Sequence, residues 1–555
     1  MSEHQAARSG GQVLVDQLVI QGVERITCVP GESYLAALDA MVDVAMDVLI
    51  CRHEGGAAMM AEAYGKLTLR PGICFVTRGP GATNAAHGLY IAAHDSTPMI
   101  LFIGQAERGV LEREGFQEID YKQLFGGIAK WVVEIDRADR IPELISRAFR
   151  TATQGRPGPV VVSLPEDMLT ELVRCVDAPK IIPITTAPCE EDLLAFRTHL
   201  MNAQSPLVVL GGSGWDEAGY QAIHDFATRF QLPVATSFRR THLFNAYHSS
   251  FAGDLGFGTN PALAKRVKEA DLVILIGARL SEVPSSSYTL LDIPKPKQTL
   301  IHIYPDPEEL GRVYQPDLGI VAAPNAMAKA LKDIAPLQNL PWSEQTMKAH
   351  QDYLDWTETP KTVPGTFQYG EIIVWLRERM PSDTIVCNGA GNYAIWVHRY
   401  WRHQRLGTQL APTSGSVGYS VPVGVMAKRQ FPDKPVIVFS GDGCFLMQGQ
   451  EFAVAVQYDI PVLFVIIDNG MYGTIRMHQE RDYPNRVIGT DLKNPDFAAL
   501  ARAYGGHGET VRETSEFSPA FERALASCKP AIIHCLLAPQ AITPTKTLDQ
   551  ITRGE

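Results

Sequence analysis

The chain has 555 residues, of which 45% are apolar and 20% are charged, as is typical of a soluble globular protein. At about 150 residues per domain, this length predicts three or four domains. The net charge of −11 argues against a non-specific nucleic-acid binder and against adsorption to an anionic membrane surface.

Nine cysteines are scattered along the chain without a C-x-x-C pair, and several lie in apolar runs. This pattern predicts reduced, mostly buried thiols rather than a disulfide framework or a zinc site. The N-terminal residues lack the apolar core of a signal peptide, and no apolar run reaches the length of a membrane span. We therefore expect a cytoplasmic protein with no nucleic-acid or membrane partner.

Short apolar runs alternate with helical patterns along three sections of similar size, 12–175, 191–340 and 368–540. This alternation predicts parallel sheets with helices on both faces. The predicted strands are 26–29, 47–51, 72–77, 99–104 and 159–164 in the first section, 206–210, 272–276 and 300–303 in the second, and 384–387, 436–439, 462–467 and 531–536 in the third.

The predicted fold class is α/β, with three consecutive doubly wound parallel-sheet domains. We place them at 1–176, 190–340 and 365–540, followed by a mobile or lid-like tail at 541–555. Polar, proline-containing links are predicted at 177–190 and 338–367.

The most informative segment follows the apolar strand that begins at Val436. There Gly441-Asp442-Gly443 forms a turn, and a helical pattern is predicted from about Gln448. A second apolar strand ends in the residues 468–473, DNGMYG. Both turns therefore lie at carboxyl ends of strands in one sheet, where open α/β sheets bind ligands.

The residue types at these turns suit a magnesium diphosphate. Mg²⁺ prefers oxygen ligands, which the Asp442 carboxylate, the Asn469 amide and the Met471 carbonyl can supply. Glycines let backbone N–H groups approach a diphosphate closely. For the GDG sequence alone, a simple tight turn is the alternative interpretation.

With the paired DN turn, the segment from Gly441 to Asn469 resembles the GDG…NN motif of thiamine diphosphate (ThDP) enzymes. The resemblance implies that Asp442 and Asn469 bind Mg²⁺. Asp468 stands where the family has the first asparagine, which is a departure from the motif.

Arg52-His53-Glu54 follows a predicted strand and precedes a helix. On local evidence, Glu54 could be merely an acid that favours a helix N-terminus. The segment, however, resembles the RHE-x-x-A sequence of the acetolactate synthase group of ThDP enzymes. In that group the glutamate reaches N1′ of the aminopyrimidine and promotes loss of the thiazolium C2 proton, so the resemblance implies a catalytic role for Glu54.

Three further segments match the family in order. Residues 77–84 resemble its T-x-G-P-G-x-x-N turn, 116–118 its FQE motif and 391–396 its GQHQMW loop. The resemblance assigns Phe116 and Gln117 to the reacting carbon. The residues assigned to the cofactor are Asn84, Gly391, Asn392, Tyr393, Gly415, Val417, Gly441, Gly443, Cys444, Asn469, Met471, Tyr472 and Gly473.

The resemblance, which runs from about residue 12 to residue 537, implies pyrimidine-binding, central and diphosphate-binding domains. It implies a carboligase that decarboxylates a 2-oxo acid such as pyruvate and adds the enamine to a carbonyl acceptor. It also implies a homodimer or homotetramer in which Glu54 of one chain faces Asp442 of another. Whether a regulatory small subunit binds is left open.

Several positions depart from acetolactate synthases. Val417 stands at a position that is usually methionine, His478 at one that is usually tryptophan, and Val283 at one that is usually a carboxylate-binding arginine. Val283 and His478 favour the alternative of a ThDP-dependent lyase or decarboxylase acting on a 2-hydroxy ketone, a 2-hydroxyacyl compound or another 2-oxo acid. His478 and Arg279 are candidate substrate residues.

Residues of the central section indicate FAD as a candidate further ligand. The glycine-rich residues 211–214 follow a predicted strand, and Arg279 and 301–307 partly match the family's FAD region, although Tyr304 replaces its usual acid. The alternative is a nucleotide-free domain kept for packing. A nicotinamide oxidoreductase is not supported, because 211–214 lacks G-x-G-x-x-G; a non-catalytic nucleotide-binding protein on this fold is the remaining alternative.

Overall fold

The computed structural model describes residues 6–555, which contain three parallel six-stranded sheets with helices between the strands. The predicted fold class is thereby confirmed. The chain forms two compact units. The first contains residues 6–184, 425–430 and 448–458, and the second contains 185–424, 431–447 and 459–555.

The first section carries the first sheet and a small antiparallel β1–β8 ribbon. Its elements are β1 (Arg8–Ser9), α1 (Gly10–Gln21), β2 (Arg25–Cys28), α2 (Leu35–Met41), β3 (Asp47–Ile50), α3 (Glu54–Thr68), β4 (Gly72–Val76), α4 (Gly79–Asp95), β5 (Met99–Gln105), α5 (Tyr121–Phe125), β6 (Trp131–Glu134), α6 (Ile141–Thr153), β7 (Pro159–Pro165), α7 (Glu166–Thr170) and β8 (Leu172–Val173).

The central section carries the second sheet. Its elements are α8 (Glu190–Asn202), β9 (Pro206–Leu210), α9 (Glu217–Phe230), β10 (Val234–Thr236), β11 (Phe251–Asp254), α10 (Pro261–Glu269), β12 (Leu272–Ile276), β13 (Thr299–Tyr304), β14 (Leu318–Val321), α11 (Pro324–Ala330) and α12 (Ser343–Thr357).

The third section carries the third sheet. Its elements are α13 (Tyr369–Arg379), β15 (Ile385–Asn388), α14 (Tyr393–Tyr400), β16 (Gln409–Leu410), α15 (Ser420–Gln430), β17 (Val436–Gly441), α16 (Asp442–Gln448), α17 (Phe452–Gln457), β18 (Leu463–Asp468), α18 (Gly473–Asp482), α19 (Phe497–Ala503), β19 (His507–Val511), α20 (Thr514–Ala526), β20 (Ala531–Leu536) and α21 (Leu548–Thr552).

The first and third sheets repeat one strand order. It is β3-β2-β4-β5-β7-β6 in the first and β16-β15-β17-β18-β20-β19 in the third, whereas the central sheet runs β11-β10-β9-β12-β13-β14. In each sheet the chain changes direction between two neighbouring central strands. A crevice for ligands forms outside the carboxyl ends of such strands. In the third sheet these strands are β15 and β17, which lead into the 391–396 loop and the GDG turn.

The strands of the core are nearly continuous apolar runs, because both faces of each sheet are covered. This explains why the predicted strands of the first section agree with the structure to within about one residue. The strands of the three sheets that the sequence does not predict, β6, β10, β11, β14, β16 and β19, have two to five residues each, and all but β10 lie at a sheet edge.

Two local predictions are wrong. The sequence predicts a link at 338–367, but this segment contains the 15-residue helix α12, whose Tyr353 packs edge-on against Phe251 of the central core. The helix after the GDG turn begins at Asp442 rather than near Gln448. A short 3-10 turn at Gly449–Glu451 separates this helix from α17.

The predicted tail is ordered around α21 in this structure. Leu548 and Ile542 are buried in a small cluster with Met471. All nine cysteines are free, and six of them are buried. None of the helices in the described residues 6–555 is both long enough and apolar enough to cross a membrane.

We predict that Gly72→Ala lowers the free energy of unfolding by about 1–3 kcal/mol, the usual cost of overpacking. A Cβ at Gly72 would lie 1.8 Å from the Ala61 carbonyl oxygen, so β4 and α3 would have to separate. Urea denaturation measures the effect. The control is Gly127→Ala, whose Cβ would meet nothing within 4 Å; equal stability of the two variants would contradict the predicted clash.

Candidate active site

Asp442 is the first residue of α16, directly after β17. Its carboxylate is buried and accepts three hydrogen bonds. The Gly443 N–H donates to Oδ1 at 2.9 Å, and Oδ2 accepts from the Gly470 N–H at 3.1 Å and from Asn494 Nδ2 at 2.8 Å. The GDG segment is therefore a strand-to-helix junction that fixes a carboxylate, not merely a tight turn.

Asp468 ends the neighbouring strand β18 and lies close to Asp442. Its Oδ1 accepts from the same two donors, the Gly470 N–H at 2.9 Å and Asn494 Nδ2 at 2.8 Å. Its Oδ2 lies 2.9 Å from His534 Nε2. Two carboxylates thus share two hydrogen-bond donors at the end of the sheet.

The two carboxylates have opposite pKa shifts. Burial raises the pKa of Asp442 to about 6, and the negative charge of Asp468 adds to the effect. Burial opposes ionisation of Asp468 as well, but hydrogen bonds from His534 and Asn494 outweigh it and lower the pKa of Asp468 below its usual value. A cation beside Asp442 would favour its ionised form.

A cavity of about 280 Å³ opens beside Asp442 in the second unit. Its lining contains every residue that the sequence analysis assigned to the cofactor except Asn84, which belongs to the first unit. The lining residues from that set are Gly391, Asn392, Tyr393, Gly415, Val417, Gly441, Gly443, Cys444, Asn469, Met471, Tyr472 and Gly473.

Glycine is required at several points of this lining. A Cβ at Gly441 would lie 2.8 Å from the Tyr393 ring, and one at Gly443 would lie 2.7 Å from the Tyr472 ring. Gly415 has a φ of +70°, in the left-handed region that favours glycine. The wall at this end of the cavity is therefore backbone, as a diphosphate-binding surface needs.

The donor set beside the cavity fits a hard cation. Asp442 offers a carboxylate, Asn469 an amide oxygen and Met471 a backbone carbonyl. The two bonds that pair this loop with 490–492 use the Gly470 carbonyl and the Tyr472 N–H, not the Met471 carbonyl. No cluster of three His, Cys, Asp or Glu side chains within 6–555 could hold a metal, so an ion here would depend on the amide and backbone oxygens.

Tyr393 and Asn392 have structural contacts that the sequence did not reveal. The Tyr393 hydroxyl donates to Cys444 Sγ at 3.3 Å and accepts from the Gly389 N–H at 2.9 Å. Asn392 Nδ2 donates to the Ile542 carbonyl at 3.0 Å, and its Oδ1 accepts from Thr474 at 2.9 Å. Asn392 thus ties the tail to the cavity wall.

Glu54 is the first residue of α3 in the first unit. His53 caps this helix through its Nδ1, which accepts the Gly55 N–H at 3.0 Å. Asn84 Nδ2 donates to Glu54 Oε2 at 2.9 Å. The structure therefore brings together the acid of the RHE segment and the asparagine of the T-x-G-P-G-x-x-N turn.

The FQE segment lies against the same turn. The Gln117 carbonyl accepts the Gly79 N–H at 2.9 Å, and Gln117 itself has a φ of +61°. Phe116 is 70% exposed, so its ring has no packing partner in the core of the first unit. Glu54, Asn84 and Gln117 are thus grouped around the start of α4.

Glu451 is a buried acid of the first unit that the sequence analysis missed. Its two carboxylate oxygens lie 3.2 and 3.3 Å from the Arg52 N–H, and a Cβ at Gly56 would meet its side chain at 2.6 Å. Burial raises the pKa of Glu451 to about 7. The only sequence signal is an acid directly before the apolar stretch that begins at Phe452.

The candidate substrate residues lie in the second unit, but neither is among the cavity-lining residues within the described part of the chain. His478 is half-buried on α18, and Arg279 follows β12 in the central section. Their assignment to a substrate stays a prediction.

The glycine-rich loop 211–214 follows β9 at the direction change of the central sheet. Its carbonyl oxygens are held within the second unit. Arg240 Nε donates to Gly212 at 2.8 Å, Asn325 Nδ2 to Gly214 at 2.6 Å and Trp215 Nε1 to Gly211 at 2.9 Å. The protein's own side chains therefore fix this loop.

Comparison with known families matches three consecutive parts of the chain to thiamine pyrophosphate enzymes. The N-terminal TPP binding domain matches residues 8–124, the central domain matches 195–331, and the C-terminal TPP binding domain matches 389–535.

Whole proteins are similar over nearly their full length. The chain is 30% identical over 532 residues to the acetolactate synthase isozyme 2 large subunit of Escherichia coli (strain K12), covering 95% of each chain. It is 28% identical over 537 residues to an acetolactate synthase of Bacillus subtilis (strain 168), covering 94% of this chain and 92% of the relative. It is also 28% identical over 564 residues to the putative thiamine pyrophosphate-containing protein YdaP of the same organism, covering 99% and 94%.

Three α/β domains in the order of the matched family and a backbone-walled cavity beside paired acids define a cofactor-dependent enzyme. The chain belongs to the thiamine pyrophosphate enzyme family and is a thiamine diphosphate-dependent enzyme. The resemblance to the acetolactate synthase group is thereby confirmed, and the alternative of a non-catalytic nucleotide-binding protein is set aside.

We predict that Glu451→Gln stabilises the protein relative to wild type at neutral pH. The pKa of Glu451 is raised from 4.5 to about 7 in the folded state. The folded wild type therefore binds more protons than the unfolded chain between these values, and its stability falls as pH rises through that window. The difference should grow from about pH 4.5 to 7, level off above it, and reach up to about 3 kcal/mol.

Thermal unfolding followed from pH 4.5 to pH 8 measures the effect of Glu451→Gln over the pKa window. Glu269→Gln, at a side chain that is 65% exposed, is the control and should show no such trend. A difference between wild type and Glu451→Gln that does not change with pH would refute the assigned ionisation.

Proposed function

We propose that the protein is a ThDP- and Mg²⁺-dependent carboligase of the acetolactate synthase type. It would decarboxylate a 2-oxo acid such as pyruvate and join the remaining fragment to a carbonyl acceptor. The observation that carries this proposal is the cavity that gathers the predicted diphosphate residues beside Asp442. The acetolactate synthases among the relatives support the reaction type.

The metal end of the cavity is assigned to Asp442, Asn469 and the Met471 carbonyl, with the diphosphate against the backbone of Gly441 and Gly443. When bound, ThDP supplies a nucleophilic carbon that attacks a carbonyl group and stabilises the negative charge left by the loss of carbon dioxide. The protein's part is to orient the cofactor, to move protons and to exclude water.

Glu54 is the acid that we assign to proton transfer at the aminopyrimidine. Asn84 donates a hydrogen bond to one oxygen of the Glu54 carboxyl group, and the other oxygen is left for a further partner. Gln117 and Phe116 are proposed to approach the reacting carbon, since the backbone contact between Gln117 and Gly79 places this segment beside the Glu54 group.

The part of the cavity beyond the metal ligands is lined by apolar side chains. Ile475, Leu537 and Ile542 belong to this wall. Such a wall excludes water and so delays protonation of the fragment left after decarboxylation, which would otherwise leave as an aldehyde. No lysine, arginine or histidine is among the cavity-lining residues within 6–555, so an acceptor carboxylate would need an anchor elsewhere, for which Arg279 and His478 are the candidates.

The alternative function is a ThDP-dependent lyase or decarboxylase. Val283 in place of the usual arginine favours it, because valine cannot bind a carboxylate. His478 in place of the usual tryptophan favours it as well. A 2-hydroxy ketone, a 2-hydroxyacyl compound or another 2-oxo acid would then be the substrate.

Wild-type protein supplied with pyruvate, ThDP and Mg²⁺ is expected to form acetolactate, with products identified by NMR. Glu54→Gln should reduce the rate by about 10²-fold or more, because it removes the proton-transferring acid. Glu143→Gln, at a side chain that is 61% exposed, is the control and should leave the rate unchanged.

Other products would contradict the synthase proposal in distinct ways. Acetaldehyde or acetoin without acetolactate would identify a decarboxylase or an aldehyde carboligase. No turnover of pyruvate, with ThDP still bound, would overturn the choice of donor and direct the search to 2-hydroxy ketones and 2-hydroxyacyl substrates.

We further propose a homodimer or homotetramer whose active sites combine Glu54 of one chain with Asp442 of another. Two inactive variants, Glu54→Gln and Asp442→Ala, should then regain activity when they are mixed under conditions that exchange subunits. Random exchange should restore about a quarter of the wild-type activity, because half of the dimers are mixed and each has one intact site.

The control mixes Glu54→Gln with Glu54→Ala, which should restore nothing. Failure of the first mixture, with subunit exchange shown by mass spectrometry, would contradict a shared site. Because several of the relatives are named as large subunits, co-purification should also be inspected for a smaller regulatory chain.

We propose FAD only as a second ligand, bound at the 211–214 loop of the central domain. The internal hydrogen bonds of that loop also support the alternative of a domain that keeps its shape without a nucleotide. The visible absorption spectrum distinguishes the two. A flavin band that stays with the protein through gel filtration supports FAD, and its absence after reconstitution contradicts it.

A further inference from the structure

The sequence departs from the GDG…NN motif at Asp468, where an acid replaces an amide. This departure places a second carboxylate beside the proposed metal ligand Asp442. Both accept from Asn494 Nδ2, at 2.8 Å in each case, and both accept from the Gly470 N–H. An added negative charge at this position needs a partner, because a buried unpaired carboxylate is costly.

That partner is on the adjacent strand. His534 lies on β20, which pairs with β18 so that Ile466 is opposite His534. Its Nε2 lies 2.9 Å from Asp468 Oδ2, and because a carboxylate only accepts, Nε2 must carry the proton. The histidine side chain is 7% exposed and the aspartate side chain 10%. The imidazole also packs edge-on against Phe497 at 5.0 Å.

We propose that His534 is a positioning residue for the magnesium site, which holds Asp468 toward β20 so that Asp442 and Asn469 remain the metal ligands. The inference rests on the proposed Mg²⁺ site and concerns residues that neither touch the cofactor nor line its cavity. In this arrangement Asp468 and His534 together replace the amide of the family motif.

The geometry explains why the pair is needed. With Oδ2 bonded to His534 and Oδ1 to Asn494 and Gly470, Asp468 has a fixed orientation and does not compete with Asn469 for the cation. Without the histidine, Asp468 would be free to rotate toward the cation or to share a proton with Asp442. Either change would break the hydrogen bonds of Asp468 to the shared donors and disturb the carboxylate of Asp442 beside it. Outer-shell partners of this kind typically contribute about 10–100-fold to metal affinity.

Other charged groups near His534 do not replace this contact. Asp496 Oδ1 is 4.0 Å from His534 Nδ1, and Nδ1 itself has no hydrogen-bond partner among the described residues. Arg512 lines a separate polar cavity of about 370 Å³ on this side of Asp468, together with Asn494 and His534. The 2.9 Å contact to Asp468 is therefore the one that constrains the imidazole.

The test is calorimetric titration of Mg²⁺ into the full-length protein with saturating ThDP and no substrate. His534→Phe keeps an aromatic ring against Phe497 and removes the donor, so we expect its Kd for Mg²⁺ to rise about tenfold or more. The double variant D468N/H534F restores the amide of the family motif and should bind Mg²⁺ almost as tightly as wild type.

His507→Phe is the matched control. His507 lies on β19 of the same sheet and contacts Glu509 at 3.0 Å, so the variant loses an equivalent pair away from the cavity. It should leave the Kd for Mg²⁺ unchanged. An equal loss in H507F and H534F would show a general effect on the sheet and overturn the proposal.

Two further outcomes would overturn the inference. One is wild-type affinity in folded H534F, and the other is a double variant that binds as weakly as H534F. If H534F does not fold, a folded and Mg²⁺-binding D468N/H534F supports the pairing, whereas failure of both to fold shows a packing role only. Since no substrate is present, a wrong substrate assignment leaves this test intact; wild-type protein that binds no Mg²⁺ would instead refute the metal site itself.

Discussion

Two carboxylates that share the same two hydrogen-bond donors are the central constraint of the cofactor-binding half of this protein. Asp442 directly follows β17 and Asp468 ends the adjacent parallel strand β18, so the sheet itself brings them together. Two negatively charged carboxylates that share donors lie close together, and like charges repel when they are buried. Hydrogen bonds from Asn494, from the Gly470 N–H and from His534 offset that repulsion. A divalent cation on the cavity side would complete the neutralisation.

The paired carboxylates lie at the end of a sheet whose strand order is repeated elsewhere in the chain. The first and third sheets have the same topology. The 77–84 turn follows β4 at the direction change of the first sheet, and the GDG turn follows β17 at the direction change of the third. Glu54 follows the edge strand β3 of the first sheet. The central sheet has a different order and presents a loop that its own side chains hold. The two cofactor-binding sections are therefore variations on one architecture that carry complementary chemistry.

The fold class and most of the cavity could be predicted from the sequence, because buried parallel strands are apolar runs and polar turns at their ends are conspicuous. Asp442, Asn469 and the glycines of the cavity were predicted from the polar turns at strand ends together with the resemblance to the family. Asn494, His534 and Glu451 could not be predicted in this way. Asn494 and His534 contact the paired acids of the second unit, and Glu451 contacts Arg52 of the first, each from a segment distant in sequence.

The errors have equally local causes. The sequence predicts a link at helix α12 because its buried positions are few and it follows a proline-containing stretch, yet Trp342 and Tyr353 anchor it to the central core. The sequence predicts too late a start for helix α16 because its glycine and aspartate residues are typical of turns. In both cases tertiary packing overrides the weak helical signal of the segment.

The contact between Asn392 and the carbonyl of Ile542 joins the cavity wall to a segment that is synthesised near the end of the chain. Ala541 and Ile542 line the cavity but follow β20, the last strand of the third sheet to be synthesised. The ribosome therefore delivers this part of the wall only after all six strands of the sheet exist. Since domains tend to fold as they emerge, the sheet has its complete set of strands before this wall of the cofactor cavity is added.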